Sequence, residues 1–188
     1  MNDPREQIYE QLVILRCQAG DEDALAELVA RYSPGLRLFL TKVSGQPPLA
    51  DDLLQETWFD AYRRINSLRN PAAFPTWLYR IARDKAYREL RRRRVPLEPF
   101  DESLADVPDE EDQQFSPEDA ATVRAAMDQI AVEQREVLML RFVEGMSYEQ
   151  IADVLQRPLG TVRSRIHYAK LALRAKLESN QPERKVTP

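Results

Sequence analysis

Cysteine and histidine occur once each in the 188 residues, as Cys17 and His167, so a single copy of the chain can build neither a disulfide nor a Cys/His zinc site. Glycine is scarce at five residues, and none of them forms a Gly-rich phosphate loop. With one histidine, one cysteine and no metal-ligand spacing, the usual parts of a catalytic site are missing, and neither a catalytic residue, a metal nor a cofactor is expected. No apolar run approaches the roughly 18 residues that span a bilayer, and the N-terminus is polar, without the pattern of a signal peptide. No membrane insertion is expected, and the chain is expected to be cytoplasmic. Cys17, among Leu12, Val13, Leu15 and Ala19, reads as a small buried core residue. β-Branched runs are also few, which with thirteen prolines points to helices joined by proline-punctuated loops. The length suits one large domain or two small ones, each with its own core.

Positive charge is missing from one stretch altogether. Residues 95–119 hold ten Asp or Glu and no Lys or Arg, whereas residues 1–94 and 120–188 each carry a net +3, which together leave the formal charge of -4. Two mildly basic modules thus flank an acidic segment rich in Pro, Asp and Glu and nearly free of hydrophobic pattern, which reads as a linker. A solvated spacer accounts for it; a path through a site built for polyanions is the sharper alternative.

What is present is concentrated near the C-terminus, in Gly145 to His167. Ser147 and Gln150 form a Ser-x-x-Gln capping box, and Ile151, Val154 and Leu155 give the helix that follows one apolar face. Pro158 blocks its continuation, and Gly160-Thr161 opens a second helix with Val162, Ile166 and Leu173 facing inward. Its outer face carries Arg163, Ser164, His167, Tyr168 and Lys170. This is a helix-turn-helix pattern, and such a face suits a major groove, because Arg can pair with guanine in two places and the other polar tips can reach base edges or phosphates. A plain helical hairpin with a solvated basic face is the alternative for this segment alone.

The first module carries two further stretches. Helical patterning starts near Glu6 and resumes at Asp21-Glu22-Asp23, and Ser33-Pro34-Gly35 is expected to break that helix before another runs to about Val43. After the Pro47-Pro48 turn, residues 50–62 open a long helix with Leu53, Leu54, Trp58, Ala61 and Ile65 on its inner stripe and Asp51, Asp52, Gln55, Glu56 and Asp60 outward. An acidic face repels phosphate, so it is either solvated or fits a basic protein surface. Beyond the loop from Asn66 to Ala73, the stretch from Phe74 to Arg94 interleaves aromatic and basic residues. Phe74, Trp77, Ile81 and Leu90 have core spacing, while Tyr79, Arg80, Arg83, Lys85, Tyr87, Arg88 and the four terminal arginines are read as the opposite face, where stacking platforms beside phosphate contacts suit a separated strand.

Taken in order, Asp51-Asp52-Leu53-Leu54-Gln55-Glu56-Thr57-Trp58, the stretch from Phe74 to Arg94, the acidic linker and the segment from Ser147 to His167 resemble the extracytoplasmic-function group of bacterial sigma factors, over nearly all of the chain. The resemblance implies an all-α fold of two small helical domains joined by an acidic flexible linker: residues 1–94 as a region-2-like domain, 95–119 as the linker, 120–180 as a region-4-like helix-turn-helix domain, and 181–188 as a tail. It implies a subunit that binds core RNA polymerase, through the β′ coiled coil and the β flap, recognises two elements of promoter DNA and initiates transcription in the cytoplasm, associated with the nucleoid. An anti-sigma factor is a further partner of this kind of protein. Carried onto this sequence, Asp51, Asp52, Gln55 and Glu56 would dock on core polymerase. Leu68, Arg69, Asn70, Tyr79, Arg80, Arg83, Asp84, Lys85 and Arg88 would serve the minus-ten strand, with a flipped base pocketed at Leu68 to Ala73 at a cost of a few kcal/mol per unstacked base. Arg141, Thr161, Arg163, Ser164, His167, Tyr168 and Lys170 would read the minus-thirty-five element, and the linker would thread the channel that later carries RNA.

Three positions depart from the pattern of that group. Asp84 stands where Asn is usual, an anion in place of a donor and acceptor beside DNA; Tyr168 stands where Arg is common; and Gln156 replaces the usual Gly of the turn, where a left-handed backbone costs a side chain about 1–2 kcal/mol. A helix-turn-helix regulator acting without core polymerase is the competing class. It accounts for the C-terminal module and leaves the Asp51 to Trp58 and Phe74 to Arg94 stretches without a task.

Overall fold

The computed structural model describes residues 3–97 and 120–180, and within them every regular element is helical. One compact unit is made chiefly of the residues up to Val95 and the other chiefly of those from Pro96 on. In the first, α1 (Pro4–Gln18) begins at Asp3, whose carboxylate accepts from the Arg5 N–H, with Pro4 supplying a helical φ at the first position. Asp21 caps α2 (Glu22–Ser44) through the Ala24 N–H and is bridged at 2.6 Å by Arg16. Gly45, left-handed at φ 70°, closes that helix. Pro47 and Pro48 then start α3 (Pro47–Arg64) rather than forming a turn before it.

The expected break at Ser33-Pro34-Gly35 is not there: α2 runs through Pro34. A proline in a helix interior forfeits one backbone hydrogen bond and crowds the preceding turn. Both halves of α2 nevertheless bury apolar residues in one core, Ala24 and Leu28 before the proline and Leu36, Phe39 and Leu40 after it. The Ser33 hydroxyl accepts from Trp58 Nε1 at 3.0 Å, which ties the proline segment to α3.

Two short 3-10 turns, Ile65–Ser67 and Pro71–Ala73, lead to α4 (Phe74–Arg92). α2 is central and packs on α1, α3 and α4. Phe39 meets Tyr79 edge-on, with ring centroids 5.4 Å apart, and Tyr32 meets Phe74 in the same way.

In the second unit, α5 (Ala120–Met127) and α6 (Val132–Leu138) pack on α8 (Leu159–Asn180), and α6 runs on into a π turn at Met139–Val143. α7 (Tyr148–Leu155) starts with the expected capping box: the Gln150 N–H donates to Ser147 Oγ at 3.2 Å, and the Ser147 N–H donates to Gln150 Oε1 at 2.8 Å. Ile151 and Val154 of α7 and Val162, Ile166, Ala169 and Leu173 of α8 are buried, the four-and-seven spacing of an inward helical face. Gln156 closes α7 at φ 54° and ψ 50°.

Candidate nucleic-acid and protein interfaces

On α3, Asp52, Gln55 and Glu56 are exposed while Leu53, Thr57 and Ala61 are buried, so helical spacing alone puts the polar residues on the outer side. Thr57, outside the expected inner stripe, turns inward and bonds its hydroxyl to the Leu53 carbonyl at 2.6 Å. Asp51 is half-exposed and held by the Arg37 guanidinium at 2.6 and 3.1 Å. That hydrogen bond keeps its carboxyl below the usual carboxylate range. Sequence reasoning missed that Phe59, 61% exposed, and Tyr62 continue this outer stripe. The signal was available, since Phe59 lies three residues after Glu56 and seven after Asp52.

The loop before α4 is pinned from two sides. Gln18 Nε2 donates to the carbonyls of Ile65 and Leu68 at 2.9 and 2.8 Å, and the Asn70 side chain accepts from the Ala72 N–H at 3.1 Å. Arg69 is exposed, whereas the Leu68 side chain is buried in the core. On α4, Arg88 and Asp84 are exposed, Arg80 is half-buried, and the Arg83 guanidinium lies 4.3 Å from the centre of the Tyr87 ring.

Three residues read as the outer face of α4 turn inward, which corrects the assignment. Tyr79 is 1% exposed and packs on Phe39, Tyr87 is buried, and Lys85 is buried with its ammonium 2.8 Å from Asp60 and 3.3 Å from Glu56 of α3. The reason is geometric. α4 meets both α2 and α3, so its buried arc is wider than one apolar stripe, and a lysine inside that arc is tolerated only beside carboxylates. Of the terminal arginines, Arg92 and Arg93 are engaged with Glu89 at 2.7 and 2.8 Å, and Arg91 and Arg94 are exposed.

On α8, Arg163 is exposed, and His167, Tyr168 and Lys170 are partly so, with the rings of His167 and Tyr168 edge-on at 5.3 Å. Ser164 is fully buried and its hydroxyl donates back to the carbonyls of Gly160 and Thr161, both at 3.1 Å. Thr161 is buried too. Ser164 therefore does not present itself on the outer face as the sequence reading had it, and Thr161, expected as a minus-thirty-five contact at the start of the helix, is covered as well. A short hydroxyl on a helix commonly finds a carbonyl of its own preceding turn. Arg141 sits at the entrance of the helix-turn-helix, donating to the Met146 carbonyl at 2.9 Å with its guanidinium 5.0 Å from the Tyr148 ring centre. Among the described residues no group of three or more His, Cys, Asp or Glu could hold a metal ion, and no helix is long and apolar enough to cross a membrane.

The acidic outer face of α3, the cationic side of α4 and the helix-turn-helix lie within two family matches. Residues 28–95 match Sigma-70 region 2, and residues 120–173 match Sigma-70, region 4. The RNA polymerase sigma-H factor of Pseudomonas aeruginosa is 37% identical over 89% of this chain and 93% of its own, and the ECF RNA polymerase sigma-E factor of Escherichia coli is 34% identical over 92% and 96%. The chain belongs to the extracytoplasmic-function sigma factors. Two solved structures agree with that membership. CnrH, known in complex with the cytosolic domain of CnrY, has a TM-score of 0.65 at 25% identity over 92% of this chain and 99% of its own. The sigma factor RpoE of Bartonella quintana, in complex with the anti-sigma factor NepR, has a TM-score of 0.62 at 26% identity over 83% and 98%. As an RNA polymerase sigma factor, the protein is a DNA-binding regulator of transcription initiation. The region 2 match takes in the α3 and α4 stretches that a free-standing helix-turn-helix regulator leaves unexplained.

Proposed function

We propose that this sigma factor docks on the β′ coiled coil of core polymerase through Asp52, Gln55 and Glu56, with Asp51 at the margin and Phe59 and Tyr62 as apolar contacts. The observation that carries this is the outer stripe of α3, where carboxylates one turn apart flank exposed aromatics, the composition that fits a basic, partly apolar helix. Residues 1–94 act as the docking and minus-ten domain, 95–119 as the linker and 120–180 as the minus-thirty-five domain, with a tail at 181–188.

On the DNA side, Arg69, Arg80, Arg83 and Arg88 hold the minus-ten strand, with Asp84 at the base pocket. Leu68 and Tyr79 support that surface from beneath, and exposed Asn70 caps the turn that leads into α4. Arg163, His167, Tyr168 and Lys170 enter the major groove at minus thirty-five, oriented by Thr161, Ser164 and Arg141. The second domain meets the β flap, for which exposed Phe142 and Val143 are candidates. The protein acts at the nucleoid and catalyses no reaction of its own. Because the relatives above include a sigma factor in complex with an anti-sigma factor, an anti-sigma protein is a further partner.

Reversal of the face by Asp52→Lys with Gln55→Lys tests the docking reading while leaving the Lys85 cluster intact. Capture of core polymerase is expected to disappear with the helical circular dichroism unchanged. Undiminished capture in moderate salt would mean that the face is merely solvated.

A further inference from the structure

α3 and α4 are joined by an ion cluster that no sequence motif announces. Glu56 and Asp60 are one turn apart on α3, so both carboxylates rise from the same side. Lys85 of α4 reaches them from below, its Nζ 2.8 Å from Asp60 Oδ2 and 3.3 Å from Glu56 Oε2. The lysine side chain is 8% exposed, against 39% for Asp60 and 60% for Glu56. The Asp60 carboxyl is held below its ordinary range chiefly by the hydrogen bond from Lys85, so Asp60 carries its negative charge at neutral pH. A phosphate contact needs an accessible cation; this one is covered, and its donors are engaged by carboxylates.

We infer that Lys85 serves the polymerase-docking face and not the DNA: it is an internal counter-ion that sets the net charge of the outer face of α3 and holds Glu56 and Asp60 in place. The inference rests on the reading of α3 as the docking face. Asp52, Glu56 and Asp60 present three negative charges, and Lys85 cancels one of them from beneath. The two bridges are unequal. Asp60, closer and less exposed, keeps the lysine paired, while Glu56, farther and more exposed, is able to turn to a cation of the partner without leaving a bare buried charge. Lys85 is thus a positioning residue that acts through its two carboxylates.

Full-length protein carrying Lys85→Met, assayed with core polymerase across a salt series, tests this. The face becomes one unit more negative. A unit charge about 8–10 Å from a partner cation, at an effective dielectric of about 40–80, changes the low-salt association rate roughly two- to sixfold. A faster association that falls more steeply with salt is therefore expected. Holoenzyme binding to single-stranded minus-ten DNA should keep its salt slope, whereas loss of a phosphate contact lowers the slope by about 0.7; Arg88→Ala supplies that second outcome for comparison. Lys85→Met with Asp60→Asn removes one charge of each sign, so core association should return to the wild-type rate even if the single variant folds poorly. A reduced DNA salt slope with unchanged core association, or a double variant that fails to return toward wild type, would overturn the inference. The Asp52→Lys, Gln55→Lys protein is run alongside. Core capture that survives it sinks the docking reading itself, while its loss beside an unchanged Lys85→Met rate sinks only the counter-ion role.

Discussion

Replacing Gln156 by glycine should stabilise the helix-turn-helix domain. Gln156 sits at φ 54° and ψ 50° as the closing residue of α7 and, with Arg94, is one of two non-glycine residues with positive φ among those described. A left-handed backbone costs a residue with a Cβ about 1–2 kcal/mol. Glycine removes that strain but loses about 0.5–1 kcal/mol in unfolded-chain entropy, leaving a net gain of about 0.5–1 kcal/mol. The cap itself survives the change, because it is made of backbone: the N–H groups of Gln156 and Arg157 both donate to the Ala152 carbonyl. For a domain of this size the gain corresponds to a rise in Tm of about 2–8 °C. Trp58 and Trp77 are the chain's two tryptophans and both lie in the first domain, so amide hydrogen exchange across α7 and α8 is the local readout, with a thermal melt beside it. Gln156→Ala separates the causes, since alanine loses the side chain and keeps the strain; it should gain nothing. Faster exchange or a lower Tm for Gln156→Gly would mean that the Gln156 side chain contributes more than the strain costs, and the reasoning would fail.

Arg163→Ala should cost about 1–3 kcal/mol on the preferred minus-thirty-five duplex and relax choice at one base, whereas Lys170→Ala should weaken all sequences alike. Ser164→Ala should leave base choice unchanged, because that hydroxyl is bonded within its own helix; a binding-site selection with each variant decides all three. Glu89 is held down to about 2 from its ordinary value near 4.5, first by Arg92 and also by Arg93. Its folded value lies below its unfolded one, so its contribution is present above about pH 4.5 and is lost as pH falls toward 2. Melts of Glu89→Gln and wild type should therefore differ at pH 7 and converge near pH 2. Linker residues 98–119 lie outside the described residues, and replacing Asp109, Glu110, Glu111 and Asp112 with Ser and Asn should alter holoenzyme stability and the ratio of abortive to full-length transcripts. Identical transcript profiles would leave a spacer whose charge is idle.

The sequence alone determined the class and those element ends that local devices set. A capping box, a proline and four-and-seven apolar spacing are local devices, acting within one or two turns, so Ser147, Pro158 and Val162 could be placed without knowing what they pack against. The acidic stripe of α3 was legible for the same reason, and the ordered set of motifs carried the membership. Tertiary structure decided what depends on two helices meeting. Pro34 stays inside α2 because core contacts on both sides outweigh a local penalty. Tyr79 turns inward because α4 packs on α2 and α3 together, a wider arc than its hydrophobic periodicity reveals. Ser164 is lost to the outer face because its hydroxyl bonds to its own helix, a choice that side-chain type leaves open. Lys85 reads as one more cation in a basic run until Asp60 and Glu56, twenty-five and twenty-nine positions earlier in the chain, are brought to within 3.3 Å of it. Only packing, which sets the distance between charges remote in sequence, turns a candidate phosphate contact into the counter-ion of a protein surface.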